Sequence, residues 1–129
     1  AAVYQTEIAK FAEAHSAIPR FDWVLLGMGS DGHTASLFPG QPLAANPQEL
    51  IRAVQANYED RPAERITMTE ELLNQAHNIL FLLIGSSKAG TLRKVLLGDP
   101  DPLNLPAQRI QPIDGHLTWL VDQAAAAEL

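Results

Sequence analysis

Two short apolar runs decide the fold of this chain: FDWVLLGMG at residues 21–29 and NILFLLIG at residues 78–85. Each run ends at a glycine, and neither alternates polar with apolar residues as a half-exposed strand would. Continuous apolar runs of this length are typical of strands that are covered on both faces of a parallel sheet. We therefore expect residues 23–26 and the second run to form central parallel strands.

The two apolar runs and further strand patterns alternate with helical patterns along the chain. Thr69 and Asp122 are placed as N-caps of the helices that follow them, and Gly98 is placed as a C-terminal cap. The expected elements are a helix over 2–17 with Val3, Ile8, Phe11 and Ala14 on one side, strands over 51–58 and 65–69, helices over 70–76 and 86–98, a strand over 115–121, and a tail helix from 123. Residues 30–47 and 99–112 hold too many breakers for a long helix. The pattern predicts one α/β domain over residues 1–129, with a mostly parallel sheet flanked by helices.

Composition excludes several classes of protein. The chain has 129 residues, of which 47% are hydrophobic, no cysteine, and a net charge of −6, which excludes a disordered chain and a disulfide scaffold. Its longest apolar run, residues 79–84, is far shorter than the roughly 18–20 residues that span a membrane. The N-terminus shows no charged segment followed by an apolar core, so we expect no secretory signal, and the basic residues are scattered. We expect a cytoplasmic protein with neither membrane nor nucleic-acid partners.

Asp31 and His33 follow the first buried strand, where open α/β sheets place their ligands. A neutral imidazole can accept a proton near pH 7, and a neighbouring carboxylate can orient it. The alternative is an Asx-turn beside an ordinary loop histidine.

Gly27, Gly29 and Gly32 match a dinucleotide-binding pattern, in which the last glycine lies in the first turns of a long helix. Pro39 leaves no room for such a helix, so a tight turn is the favoured interpretation. The spread of the histidines along the chain and the absence of cysteine argue against a metal site.

Two cations are candidates for binding an anion. Lys88 begins the helix after the second buried strand, where free N–H groups and the helix dipole favour a phosphate. Arg65 opens a short strand and could hold the same anion through two hydrogen bonds. The alternatives are a solvated Lys88 and an Arg65 that pairs with Asp60 or Glu64. We expect both cations and His33 to line one cleft at the carboxyl edge of the sheet.

Five segments together resemble a known family. GMGSDGHTASLFPG, RITMT, LIGSSKAGTL, LPAQRIQP and HLTWLVDQAAA, in that order, are similar to the C-terminal half of the 6-phosphogluconolactonases. The resemblance implies a Rossmann-like fold of the class shared by glucosamine-6-phosphate deaminase, ribose-5-phosphate isomerase and CoA transferase. It also implies hydrolysis of 6-phospho-D-glucono-1,5-lactone to 6-phosphogluconate, with neither metal nor cofactor.

The resemblance implies roles for individual residues. His33 matches the family's general base or acid and Asp31 its neighbour, while Arg65, Lys88, Gly29 and Gly32 match the substrate- and phosphate-binding positions. Family members are roughly twice as long, and their early phosphate loop and Asp-Glu-Arg segment have no counterpart here. We therefore expect a C-terminal portion that associates through the face left by its missing half. The alternatives are a sugar-phosphate isomerase or deaminase of the same fold, and a non-catalytic sugar-phosphate-binding fragment.

Overall fold

The computed structural model describes residues 1–12, 18–56 and 62–129 and forms an α/β domain. Short 3-10 helices at Ser86–Lys88 and Pro106–Arg109 supplement its regular elements. Within the described residues, no helix is long and apolar enough to cross a membrane. The elements are α1 (Ala2–Ala9), β1 (Val24–Leu26), β2 (Ile51–Gln55), β3 (Glu64–Met68), α2 (Glu70–Leu73), β4 (Asn78–Leu83), α3 (Ala89–Leu97) and β5 (His116–Val121).

The predicted parallel sheet is confirmed, with β4 at its centre between β1 and β5. The three strands run parallel, and Leu26, Phe81 and Trp119 lie side by side across them. β2 and β3 instead form a separate antiparallel pair, in which Ile51 lies opposite Met68. The apolar runs therefore predicted the parallel strands correctly, whereas the antiparallel pair was not anticipated.

The core occupies one face of the parallel sheet. Ile79, Phe81 and Leu83 of β4 are buried there against Leu73 of α2 and Leu92 of α3. Alternation of side chains along the strands sends Leu25, Leu82 and Leu120 to the other face, where each is more than half exposed. The expectation that the apolar runs are covered on both faces is therefore wrong for the described residues. Association through this exposed face stays a prediction.

Three helices differ from the prediction: α1 and α2 end early, and α3 begins at Ala89, after the 3-10 turn at Ser86–Lys88. α1 ends at Ala9, and Val3 and Phe11 are exposed although they belong to the predicted apolar stripe; residues 13–17, including Ala14, lie outside the described residues. α2 is one turn long, because Asn74 ends it and uses its amide to bind the chain at residues 109 and 111. Residues 57 and 58 of the predicted second strand also lie outside the described residues.

The alanine-rich tail forms hydrogen-bonded turns rather than the predicted helix. Asp122 accepts the Ala125 N–H at 2.7 Å, as an N-cap would, but it also accepts the Gly85 N–H from the end of β4. Of the residues after Asp122, only Ala125 is buried. A cap and good helix propensity do not overcome the cost of helix nucleation without a packed apolar face.

Candidate active site

The carboxyl ends of β1 and β4 lie side by side because the two strands are parallel neighbours. The segment after β1 turns sharply, since the Gly29 N–H donates to the His33 carbonyl at 2.8 Å. Thr34, fully buried, donates its hydroxyl hydrogen to the Gly27 carbonyl at 2.7 Å. These two hydrogen bonds hold residues 29–34 against the end of β1.

Asp31 and His33 form a close hydrogen-bonded pair. Asp31 Oδ1 lies 2.6 Å from His33 Nδ1 and also accepts the His33 backbone N–H at 3.1 Å. Both interpretations of Asp31 are therefore realised, because one carboxylate makes the Asx-turn and orients the ring. An ionised carboxylate only accepts hydrogen bonds, so in the neutral ring Nδ1 carries the proton and the lone pair in the ring plane is on Nε2. Nε2 is thus the nitrogen that can take up a proton.

Gly29 and Gly32 give this loop its shape. A Cβ at Gly29 would overlap His33 Nδ1 and Asp31 Oδ1. Gly32 has a φ of +86°, a conformation that glycine adopts without strain. The N–H groups of Gly29 and Gly32 donate within the loop, to the carbonyls of His33 and Gly29 respectively. The geometry thus gives these glycines a role in loop shape, while phosphate binding by them stays a prediction.

The pKa of Asp31 is lowered from its ordinary value. Partial burial by itself would raise the pKa, but the hydrogen bonds from the His33 backbone and ring, with the positive charge of that ring, outweigh it. The carboxylate therefore remains ionised across the neutral range. An ionised Asp31 can stabilise the imidazolium that forms when His33 accepts a proton.

This shift predicts an acid-dependent loss of stability. A carboxyl whose pKa is lower in the folded state stabilises that state fully above its unfolded pKa of about 3.9, and the contribution disappears as the pH falls through the folded pKa. At pH values below about 4, the free energy of unfolding should therefore decrease, and it should decrease less steeply in Asp31→Asn than in the unsubstituted protein. Urea denaturation at pH 7, 4 and 3 measures this difference, with exposed Asp99→Asn as the control. Equal acid dependence in all three proteins would contradict the prediction.

Lys88 is brought to the same edge as His33. It ends the 3-10 turn after β4 and lies one helical turn before Thr91, whose hydroxyl donates to the Ser30 carbonyl at 2.6 Å. That hydrogen bond ties the start of α3 to the loop after β1. Within the described ranges, the Lys88 side chain makes no hydrogen bond or ion pair.

Arg65 lies on β3, in the separate antiparallel pair. Two residues further along this strand, on the same face, Thr67 Oγ1 accepts the backbone N–H of Ser36 at 3.1 Å. The predicted pair with Glu64 does not form, and Asp60, the other predicted partner, lies outside the described residues. The hairpin thus meets the His33 loop, whereas a single cleft that contains His33, Arg65 and Lys88 stays a prediction.

Several residues around the site are not predicted from the sequence. The Phe38 ring lies 5.2 Å from that of His33 between centroids, and Thr34, directly after His33, is fully buried. Arg109 lies under the neighbouring loops and donates to the carbonyls of residues 41 and 102. The signals were present in the DGHTASLFP and LPAQRIQP segments, but neither predicts a tertiary contact by spacing alone.

In the described part of the chain, neither a metal-binding cluster nor the main apolar cavity competes with this site. Among the described residues, no group of three or more His, Cys, Asp or Glu side chains could hold a metal ion. An apolar cavity of about 290 Å³ lies between α3, the connection after it and β5, and Val95, Ile110 and Trp119 line it. It contains none of the predicted site residues.

Comparison with known proteins identifies the family. Residues 1–119 match the model of the glucosamine-6-phosphate isomerases/6-phosphogluconolactonase family. The chain belongs to this family. Among the curated members of this family, a 6-phosphogluconolactonase from Synechocystis is 41% identical over an alignment of 130 positions, which covers all of this chain and 52% of that protein.

Solved structures of family members have the same fold. The crystal structure of a protein described as devB superposes with a TM-score of 0.85 at 32% identity, and a 6-phosphogluconolactonase from Trypanosoma brucei with 0.80 at 27%. Each comparison covers 99% of this chain and 52% of the other. The family fold is thus present here, and the chain spans about half the length of these relatives.

Proposed function

We propose that this chain carries the proton-transfer half of a 6-phosphogluconolactonase, which hydrolyses 6-phospho-D-glucono-1,5-lactone to 6-phosphogluconate. The single observation that carries the proposal is the Asp31–His33 pair at the carboxyl end of β1, with 2.6 Å between Nδ1 and Oδ1. The family membership supports the choice of substrate. The location in the cytoplasm belongs to the same proposal.

The chemistry requires little more than a positioned base. A δ-lactone is an activated ester, so water can attack its carbonyl carbon without a covalent enzyme intermediate. His33 Nε2 accepts a proton from the water while the oxygen of the water forms a bond to C1, the carbonyl carbon of the lactone. The bond from C1 to the ring oxygen then breaks, and the imidazolium returns the proton to that oxygen. The products are a hydroxyl group and a carboxylic acid, which releases its proton to solvent and becomes a carboxylate. A general base of this kind contributes about 10²- to 10⁴-fold.

Arg65 and Lys88 are proposed to bind the phosphate of the substrate. Both are partly buried, and neither side chain makes an ion pair with any described residue. A guanidinium can bind a phosphate through two hydrogen bonds, and an ammonium group adds a positive charge. A phosphate bound there would be at one end of the sugar while His33 acts at the other.

The test compares substrates and chain lengths. Acid release from the lactone is followed in a pH-stat, after subtraction of the spontaneous rate, for this chain alone and together with the unmatched half of the Synechocystis relative. We expect turnover of the lactone and none of glucosamine 6-phosphate, the control substrate for a deaminase or isomerase. Turnover of glucosamine 6-phosphate alone would reverse the proposal. Binding of 6-phosphogluconate without turnover in either sample would favour a binding fragment.

A further inference from the structure

The turn from Thr34 to Leu37, directly after His33, is anchored on two sides. On one side, the Thr34 hydroxyl donates to the Gly27 carbonyl at the end of β1. On the other side, the Ser36 N–H donates to Thr67 Oγ1 on β3. The turn itself is closed by the Leu37 N–H, which donates to the Thr34 carbonyl at 2.9 Å. The turn therefore connects the parallel sheet to the separate β2–β3 pair.

The backbone of this turn is strained. Ala35, between the two anchored residues, has a φ of +49°, the single positive value among the described non-glycine residues. A non-glycine residue in this region costs free energy, and it persists where the surrounding contacts over-determine the conformation. The two anchors provide such contacts, because they hold the residues on either side of Ala35.

Thr67 is suited to hold the turn in one place. Its side chain is 5% exposed, and its hydroxyl hydrogen is directed to the Met68 carbonyl at 3.0 Å. The oxygen therefore presents its lone pairs to the Ser36 N–H in a fixed orientation. Other hydrogen bonds join the same loop to β2, but they involve Gln41 and Pro42, eight and nine residues beyond His33.

We propose that Thr67 is a positioning residue that sets the place of Arg65 relative to His33. Arg65 and Thr67 lie on the same face of β3, and β3 shares no ladder with β1 or β4. The Thr67 hydrogen bond thus joins the strand that carries Arg65 to the loop that carries His33. The inference rests on the proposed function, in which these two residues act on opposite ends of one sugar phosphate.

The first experiment measures the position directly. The chain has no cysteine, so spin labels can be attached specifically through Ser30→Cys on the His33 loop and Ile66→Cys on β3, both exposed positions. Pulsed electron paramagnetic resonance then gives the distribution of distances between them. We expect Thr67→Val to broaden or shift this distribution and Thr67→Ser, which keeps the hydroxyl, to preserve it. An unchanged distribution in a folded Thr67→Val protein would overturn the inference.

The second experiment asks whether the position matters for binding. Loss of one hydrogen bond of this kind should weaken 6-phosphogluconate binding by about five- to tenfold in Thr67→Val, with recovery in Thr67→Ser. Inorganic phosphate would contact one end of the site only, so the same loss should weaken its binding by less than about twofold. The matched control is Thr69→Val, because Thr69 is a buried threonine directly after β3 whose hydroxyl donates to the carbonyls of Glu49 and Leu50 instead.

The outcomes separate the inference from the proposed function. Equal weakening of both ligands, or equal effects of Thr67→Val and Thr69→Val, would mean that Thr67 acts through general stability and would overturn the inference. If the unsubstituted chain binds no 6-phosphogluconate, alone or with the unmatched half of the relative, the proposed function fails. The distance measurement still decides whether Thr67 positions Arg65, because it requires no ligand.

Discussion

Replacing His33 by alanine is expected to lower kcat for lactone hydrolysis by about 10²- to 10⁴-fold while KM changes little. In the proposed mechanism, His33 Nε2 exchanges a proton with water and the leaving oxygen in the transition state, whereas Arg65 and Lys88 are proposed to bind the phosphate already in the ground state. An interaction that is made only in the transition state affects kcat and kcat/KM together. The effect should be measured in the sample that shows turnover, after subtraction of spontaneous hydrolysis.

The matched control for this prediction is His116→Ala. His116 is exposed and begins β5, so it lies at the amino edge of the parallel sheet, opposite the edge that holds His33. We expect its replacement to leave kcat and KM unchanged within about twofold, as for a surface substitution. A near-normal kcat in His33→Ala would remove His33 from proton transfer, and the proposed mechanism would then be wrong.

The largest expected effect on stability comes from Arg109→Met. Arg109 is 6% exposed, and its guanidinium donates to the carbonyls of Pro102 and Gln41. Burial lowers its pKa, the nearby Glu70 carboxylate raises it and Arg52 lowers it again, with a net lowering. Glu70 is also buried, at 4% exposure. Removal of the guanidinium abolishes two hydrogen bonds from a charged donor and takes away a positive charge near this carboxylate, so the free energy of unfolding should fall by about 3–5 kcal/mol.

A double variant separates the two contributions to this loss of stability, which are the removed positive charge and the lost hydrogen bonds. In Arg109→Met/Glu70→Gln the buried charge is removed with its partner, so the loss should be smaller than the sum of the two single losses. Urea denaturation gives the free energy of unfolding of the two single variants and the double variant. Arg93→Met is the control, because Arg93 is exposed. Additive losses, or a loss in Arg109→Met no larger than in Arg93→Met, would show that Glu70 and Arg109 do not compensate each other.

Glu70 and Arg109 illustrate what local sequence patterns leave undetermined. The sequence predicts Glu70 in the first turn of a helix, directly after the N-cap candidate Thr69, where the helix dipole favours acidic residues, and this prediction is confirmed. Nothing in the spacing indicates that its carboxylate is buried, accepts the Ala44 N–H at 2.8 Å and lies near Arg109, 39 positions away along the chain. Burial and partners of a charged side chain depend on the elements that pack around it.

By itself, the sequence determined the parallel strands, the class of fold and the short-range geometry of Asp31 with His33. Each of these depends on residues that are close in the chain: continuous apolar runs, glycines at their ends, and a carboxylate two residues before an imidazole. The DGHTASLFP segment also identified the family, because several functional residue types recur there in one order.

The tertiary structure alone decided which distant residues meet. It placed β2 and β3 in a separate antiparallel pair, brought Thr67 to Ser36 across 31 positions, and left Leu25, Leu82 and Leu120 exposed on one sheet face. It also kept the alanine-rich tail from forming a helix. Such outcomes depend on which surfaces are covered and which donors find acceptors after the chain has packed, and neither property is encoded in the periodicity of any single segment.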